Sequence, residues 1–196
     1  MRPAAQMYLG DQHVRMMRGV ESLRRSLGPE TVKVWILSAG YGLIEENRMI
    51  APYEATFNAM GRRAAAAWAE KLSVGRGIRA AIVGVPLVFF LLGERYLGAA
   101  RPPIVPGPGQ RLVFLAKPAL EGRLGGRGTT VVPAGMIEAR KYGCGLVGLK
   151  GRMLQLLGKA VESEGPDLLA KIEGDDSPAT LLEAIDREVW RRGQAG

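Results

Sequence analysis

Four carboxylates and one imidazole, Asp11, His13, Glu45, Glu46 and Glu54, flank two short segments built from Tyr, Ser and Gly, and they are the acid–base candidates of this chain. The first segment is Met7-Tyr8-Leu9-Gly10-Asp11-Gln12; the second is Ser38-Ala39-Gly40-Tyr41-Gly42-Leu43, followed by Ala51-Pro52-Tyr53-Glu54. Gly40 and Gly42 permit close backbone approach or positive φ, and Tyr41 offers a flat face and a hydroxyl that can stack on a base and bond it. Tyr53 supplies a second aromatic wall and Glu54 a carboxylate beside it, with Ser38 at the turn. The competing reading makes Tyr41 and Tyr53 packed aromatics with satisfied hydroxyls and the glycines simple turn residues. A Ser38/His13/Asp11 triad is disfavoured. Asp11 and His13 lie two apart beside a helix start, where Asp11 serves as an N-cap.

Cations come next. The chain carries 27 Lys+Arg against 19 Asp+Glu, a net charge of +8, so polyanions are attracted before any specific contact forms. Between Lys117 and Arg152 stand seven Lys/Arg and two acids, whereas Met153 to Trp190 holds nine acids and three Lys/Arg. The first stretch is the expected phosphate footprint, with Arg140, Lys141, Lys150 and Arg152 as contacts. Arg15, Arg18, Ser22 and Arg25 recur at spacings of three and four and form a second, basic stripe on a helix.

Several classes are excluded or disfavoured. One cysteine, Cys144, makes no internal disulfide and fits a reducing cytoplasm. With His13 the single histidine, the usual zinc or iron–sulfur ligand sets are not available; an oxygen-ligand metal site stays open, no metal ligand is singled out, and no cofactor is expected. The longest apolar run, Ala80 to Leu92, contains Pro86 and falls short of a membrane span.

Elements must position these residues. Apolar spacing predicts helices over His13 to Leu27, Gly61 to Leu72, Leu149 to Ser163, Asp167 to Ile172 and Pro178 to Arg191. Strands are expected at Thr31 to Ser38, Ile78 to Val85, Arg111 to Ala116 and Thr129 to Pro133, with a helix from Pro86 to about Leu97. The Pro/Gly-rich Ala100 to Gln110 is a connector. Alternating strands and helices give an α/β domain over residues 1–163, a mixed central sheet flanked by helices, with a helical C-terminal extension over 164–196. Ser38 to Gly42 then lies at the carboxyl end of a strand, where open α/β sheets collect ligands.

Ser38, Tyr41, Gly42, Pro52 and Tyr53, at their spacing, resemble the peroxide-stress protein YaaA family and the related uncharacterised DUF6884-like domains. Element order agrees from about Gln6 to Val161. The resemblance implies DNA association and protection against oxidative stress. Together with the residues it favours an enzyme that removes or alters a DNA base, most concretely by glycosylase-type hydrolysis. Tyr41 and Tyr53 would wall the base, Glu54 or Asp11 would supply the carboxylate, and the basic surface would hold phosphates. Two alternatives are a non-enzymatic DNA-binding or DNA-protecting module and a small-molecule nucleotide enzyme.

Overall fold

The computed structural model describes residues 1–194. In chain order it contains β1 (Arg2–Pro3), α1 (Ala4–Met7), α2 (Asp11–Leu27), β2 (Trp35–Ser38), β3 (Gly42–Glu45), β4 (Met49–Ile50) and a 3-10 turn at Phe57–Ala59. There follow α3 (Arg62–Lys71), α4 (Val74–Ala81), β5 (Leu87–Phe90), α5 (Glu94–Ala100), β6 (Arg111–Ala116) and α6 (Glu121–Leu124). The chain continues with β7 (Thr129–Pro133), α7 (Met136–Lys141), α8 (Leu149–Glu164), α9 (Asp167–Gly174) and α10 (Ala179–Gln194). The class is mixed α/β with a helical C-terminal region. The strands are divided over three small ladders: β1 with β4 and β2 with β3, both antiparallel, and a parallel β5-β6-β7.

The central strand β6 is buried at all six positions, as befits a parallel strand covered on both faces. Its residues alternate between two cores. Val113 and Leu115 join Val20, Leu23, Met153, Leu156, Leu157 and Ile185, the inward residues of α2, α8 and α10. Leu112, Phe114 and Ala116 join Ala65, Ala69, Val74, Ile78 and Leu97, the inward residues of α3, α4 and α5. On that side Phe90 stacks on Phe114 with ring centroids 4.4 Å apart.

Helices α2 and α8 touch backbone to backbone. A Cβ on Gly19 would lie 2.6 Å from the Leu154 carbonyl oxygen, and one on Gly158 would lie 2.5 Å from the Gly19 oxygen. Gly151 meets the Gln12 carbonyl more closely still. This contact buries Ser22, so the expected stripe Arg15–Arg18–Ser22–Arg25 is interrupted at its third member.

Two expectations are reversed between residues 74 and 100. Ile78 to Val85 lies in α4 and the turn after it, because Val74 and Ile78, four apart, bury one helical face. The expected helix from Pro86 is a strand, β5, formed by the aromatic and branched Leu87–Phe90. Pro86 has no N–H to give, but its carbonyl accepts from the Arg111 N–H at 2.7 Å and opens the ladder. The strand expected over Thr31 to Ser38 is confined to β2 and pairs antiparallel with the adjacent β3. Ser38 is thus at the head of a hairpin, and the argument from parallel-sheet carboxyl ends does not apply to it.

Candidate functional site

The hairpin register Ser38↔Gly42 leaves a three-residue turn, Ala39-Gly40-Tyr41. Ser38, 1% exposed, organises it: its Oγ accepts from the Gly40 and Tyr41 N–H groups, both at 3.1 Å. Gly42 closes the turn at φ +76°, which favours glycine. Outside the turn the Trp68 indole donates to the Ala39 carbonyl at 2.7 Å and ties it to α3.

A chain of hydroxyls leads outward from this turn. Ser38 Oγ donates to the Tyr53 hydroxyl at 2.6 Å, and the Tyr53 and Tyr8 hydroxyls share a hydrogen bond of 2.7 Å. Burial, with the Tyr53 hydroxyl beside it, raises the Tyr8 phenol well above its ordinary pKa, so Tyr8 stays neutral as a donor or acceptor. Beside Tyr8 the His13 ring shares a 2.8 Å hydrogen bond between its Nε2 and the Ala5 carbonyl, and the two rings lie 5.7 Å apart.

Tyr8 and Tyr53 open onto a cleft of about 270 Å³, completed by Met7, Pro52, Ala55 and Tyr96. Its size is just below the usual range for small-molecule sites, and its lining of apolar groups and a few hydroxyls is typical of them. Tyr41 faces elsewhere. It packs edge-on against Tyr53 at 5.3 Å, its hydroxyl bonds both the carbonyl and the N–H of Ala51 at 3.2 Å, and it lines a second cleft of about 340 Å³ with Leu43, Leu72, Ser73, Arg76, Gly77 and Ala80. Tyr41 and Tyr53 therefore do not form two walls of one pocket. Gly40 lies under the Tyr53 ring, where a Cβ would come 2.6 Å from it, and this contact fixes the ring.

The carboxylate candidates are dispersed. Glu54 is exposed between the cleft-lining Tyr53 and Ala55 and is not itself part of the lining. Asp11 is the first residue of α2, whose N-cap is Gly10; its carboxylate bonds Arg15 at 2.6 Å and lies against Gly148 at the start of α8. It makes no side-chain cap and does not line the cleft. Glu46 is committed to Arg24, and Glu45 is exposed at the end of β3. No group of three or more metal-ligating side chains converges among the described residues, and no helix among them is long and apolar enough to cross a membrane.

The expected phosphate contacts also divide. Arg18 and Arg140 are exposed and make no ion pair among the described residues. Arg15 is held by Asp11, and Lys141 by Asp186 at 2.6 Å. Arg152 turns inward to Gln155 and the Tyr142 carbonyl. Lys150 is half-buried and donates to the Leu92 carbonyl. Both side chains are thus bonded within the protein and less free to hold phosphates.

Reading along the sequence also missed Tyr8, Tyr96 and a cluster of arginines. Tyr8 stood inside the first segment without a role, and its signal was an aromatic between two helices. Tyr96 was hidden by the misplaced helix. Arg62, Arg63, Arg76, Arg79 and Arg95 are exposed on α3, α4 and α5 without a carboxylate partner among the described residues. Their signal was a stretch with seven Lys/Arg and two acids between residues 61 and 101.

Residues 1–116, which contain both clefts and the arginine cluster, match the model of a family of unknown function, DUF6884. No curated protein and no solved structure matches the chain.

Proposed function

The chain belongs to the DUF6884 family, and we propose that it acts on nucleic acid, taking a planar base into the Tyr8–Tyr53–Tyr96 cleft while arginines on the same side of the sheet hold phosphates. The observation that carries this reading is the cleft itself: three tyrosines around an open, largely apolar space, two of them joined in a hydroxyl chain that ends on a buried serine. Every base has a π-face to stack and an edge to hydrogen-bond, which such a lining can satisfy. The likeness of Ser38–Leu43 and Pro52–Tyr53 to YaaA proteins supports the same reading and extends it to DNA under oxidative stress.

In the enzymatic version the base is excised, and Glu54 is the carboxylate within reach of an incoming sugar because both of its chain neighbours line the cleft. Uracil-containing, oxidised and hypermodified duplexes, treated with the wild type and with Glu54→Gln, test this when alkali-labile abasic sites are scored. Base release by the wild type and its loss in the variant, with DNA binding intact, is the expected result. Tight binding with no base release from any substrate replaces the enzyme by a protective DNA-binding module. No binding to DNA at low salt removes both.

A further inference from the structure

Lys150 is the least ordinary cation in the molecule. It lies in the first turn of α8, yet its ammonium points to the Leu92 carbonyl at the carboxyl end of β5. Lys117, which follows the last residue of the neighbouring β6, is close enough to disfavour charge on it. Glu94 bonds Lys117 at 3.5 Å and is exposed; among the described residues no carboxylate bonds Lys150. Gln12 holds the same segment by donating to the Leu91 carbonyl at 3.0 Å. The next turn of chain enters α5 and brings Tyr96 to the cleft.

A structural lysine is normally satisfied by a carboxylate or reaches water, because a neutral carbonyl is weak compensation for a charge removed from solvent. Here the amine is half-buried with no carboxylate bonded to it among the described residues, and burial together with Lys117 pushes it down to about 8, so that a neutral fraction exists near neutral pH. The location is the carboxyl edge of the parallel ladder, the place where α/β sheets bind ligands. One carbonyl bond fixes the amine and leaves its lone pair free in the deprotonated form.

We propose that Lys150 is a Schiff-base lysine that condenses with the aldehyde of a phosphorylated sugar, with Lys117 holding the phosphate. The neutral amine adds its lone pair to the carbonyl carbon. A carbon–nitrogen bond forms, the two amine protons leave with the carbonyl oxygen as water, and an imine remains; no oxidant or reductant is consumed. An abasic deoxyribose in DNA and a free aldose phosphate share this chemistry. The former would link the lysine to base excision, and that choice alone rests on the function proposed above.

The test is reductive trapping on the full chain. Borohydride is added to the wild type with a duplex carrying one abasic site, and separately with deoxyribose 5-phosphate, and the seven lysines of the chain are mapped by mass spectrometry. The expected result is an adduct concentrated on Lys150, falling at least tenfold in Lys150→Arg, which keeps the charge without the reactive amine. An adduct spread evenly over the lysines, or confined to exposed ones such as Lys141, overturns the proposal without requiring any variant to fold. Trapping of the sugar phosphate but not of the DNA keeps Lys150 and removes its link to base excision. Salt-sensitive DNA binding with no trapped adduct from either probe removes the Schiff-base role of Lys150 and keeps the nucleic-acid reading.

Discussion

The two helical layers that cover β6 treat charge in opposite ways. On α8 and α10, Lys159, Arg187, Arg191 and Arg192 each bond a carboxylate, at 2.5, 2.9, 2.9 and 2.8 Å, and Arg25 of α2 joins the set through Glu162. Arg187 holds the Glu164 carboxyl below its ordinary range. On α3, α4 and α5 the arginines at 62, 63, 76, 79 and 95 have no such partner among the described residues, and Arg101 alone is paired, with Glu70. Exposed pairs add little stability, a median near 0–1 kcal/mol. Their main effect is to cancel the field over α10 and the adjoining end of α8, whereas α3 and α4 carry four arginines without such a partner among the described residues. Backbone packing divides the same way: glycines in α2 and α8 are in contact, whereas Gly98 of α5 has open space where a Cβ would go.

The largest expected effect breaks the comparison if it fails. Reversing Arg62, Arg63 and Arg79 to Glu lowers DNA affinity at least roughly a hundredfold, about 2.7 kcal/mol, and flattens the dependence of log K on log salt by about three units. Reversing Arg187, Arg191 and Arg192 changes neither. Fluorescence anisotropy titrations at several salt concentrations measure both, and equal losses from the two triple variants would abolish the distinction.

Packing gives the next effect. Gly151→Ala forces α8 away from the Gln12 carbonyl and costs about 2–3 kcal/mol in urea unfolding, whereas Gly98→Ala gains about 0.5–1 kcal/mol. Similar values at the two sites would show that α2 and α8 are not the tighter pair.

Alkaline stability sharpens the contrast within α8 itself, because Lys150 is half-buried there with no carboxylate bonded to it among the described residues. Its pKa in the folded chain is about 8, while in the unfolded chain the proton is held to about 10.4. Between these values the unfolded state binds more protons, so stability rises with pH, by roughly 2 kcal/mol from pH 8 to pH 10. Above about pH 10 the sign reverses, since burial keeps the phenols of Tyr8 and Tyr142 protonated while their unfolded counterparts ionise. Thermal melts across this range should show a maximum near pH 10, and Lys150→Met should remove the rising limb.

The smallest effect lies at the tyrosine cleft. Tyr53→Phe leaves Ser38 Oγ and Tyr8 without their shared partner and costs about 1–2 kcal/mol of stability, with the ring contact to Tyr41 retained. Tyr41→Phe loses only two weaker bonds to Ala51 and should cost about half as much. Chemical denaturation of both variants separates a hydroxyl chain from independent packed rings.

Much of this was legible in the residues and some was not. Strands β6 and β7 and helix α8 follow from branched or periodic apolar runs that fit one period only, and Ser38, Gly40 and Gly42 were identifiable as a turn by type. The run Ala80 to Leu92 fits a buried helix and a buried strand equally well, and only pairing with Arg111–Phe114 decides it. Tyr41 and Tyr53 were legible as neighbours but not as rings facing two different clefts, because that depends on Gly40 lying beneath Tyr53. Lys150 read as a phosphate contact because it stands in a cation-rich stretch; its bond to the Leu92 carbonyl depends on a segment that the misplaced helix had put elsewhere.

The close contact of α2 with α8 has a consequence for how the chain is made. Gly19 is translated long before Leu154, the residue whose backbone fills the groove it leaves. At 5–20 residues per second the delay is on the order of ten seconds. Throughout that interval Val20 and Leu23 of α2, and the face of β6 they share through Val113 and Leu115, lack the cover of Met153, Leu156 and Leu157. The matched stretch, residues 1–116, stops where β6 ends, before Val132 and α8 have been synthesised. A recombinant fragment cut at that point should be insoluble or chaperone-bound, and the nascent protein is exposed to the same hazard until α8 leaves the ribosome.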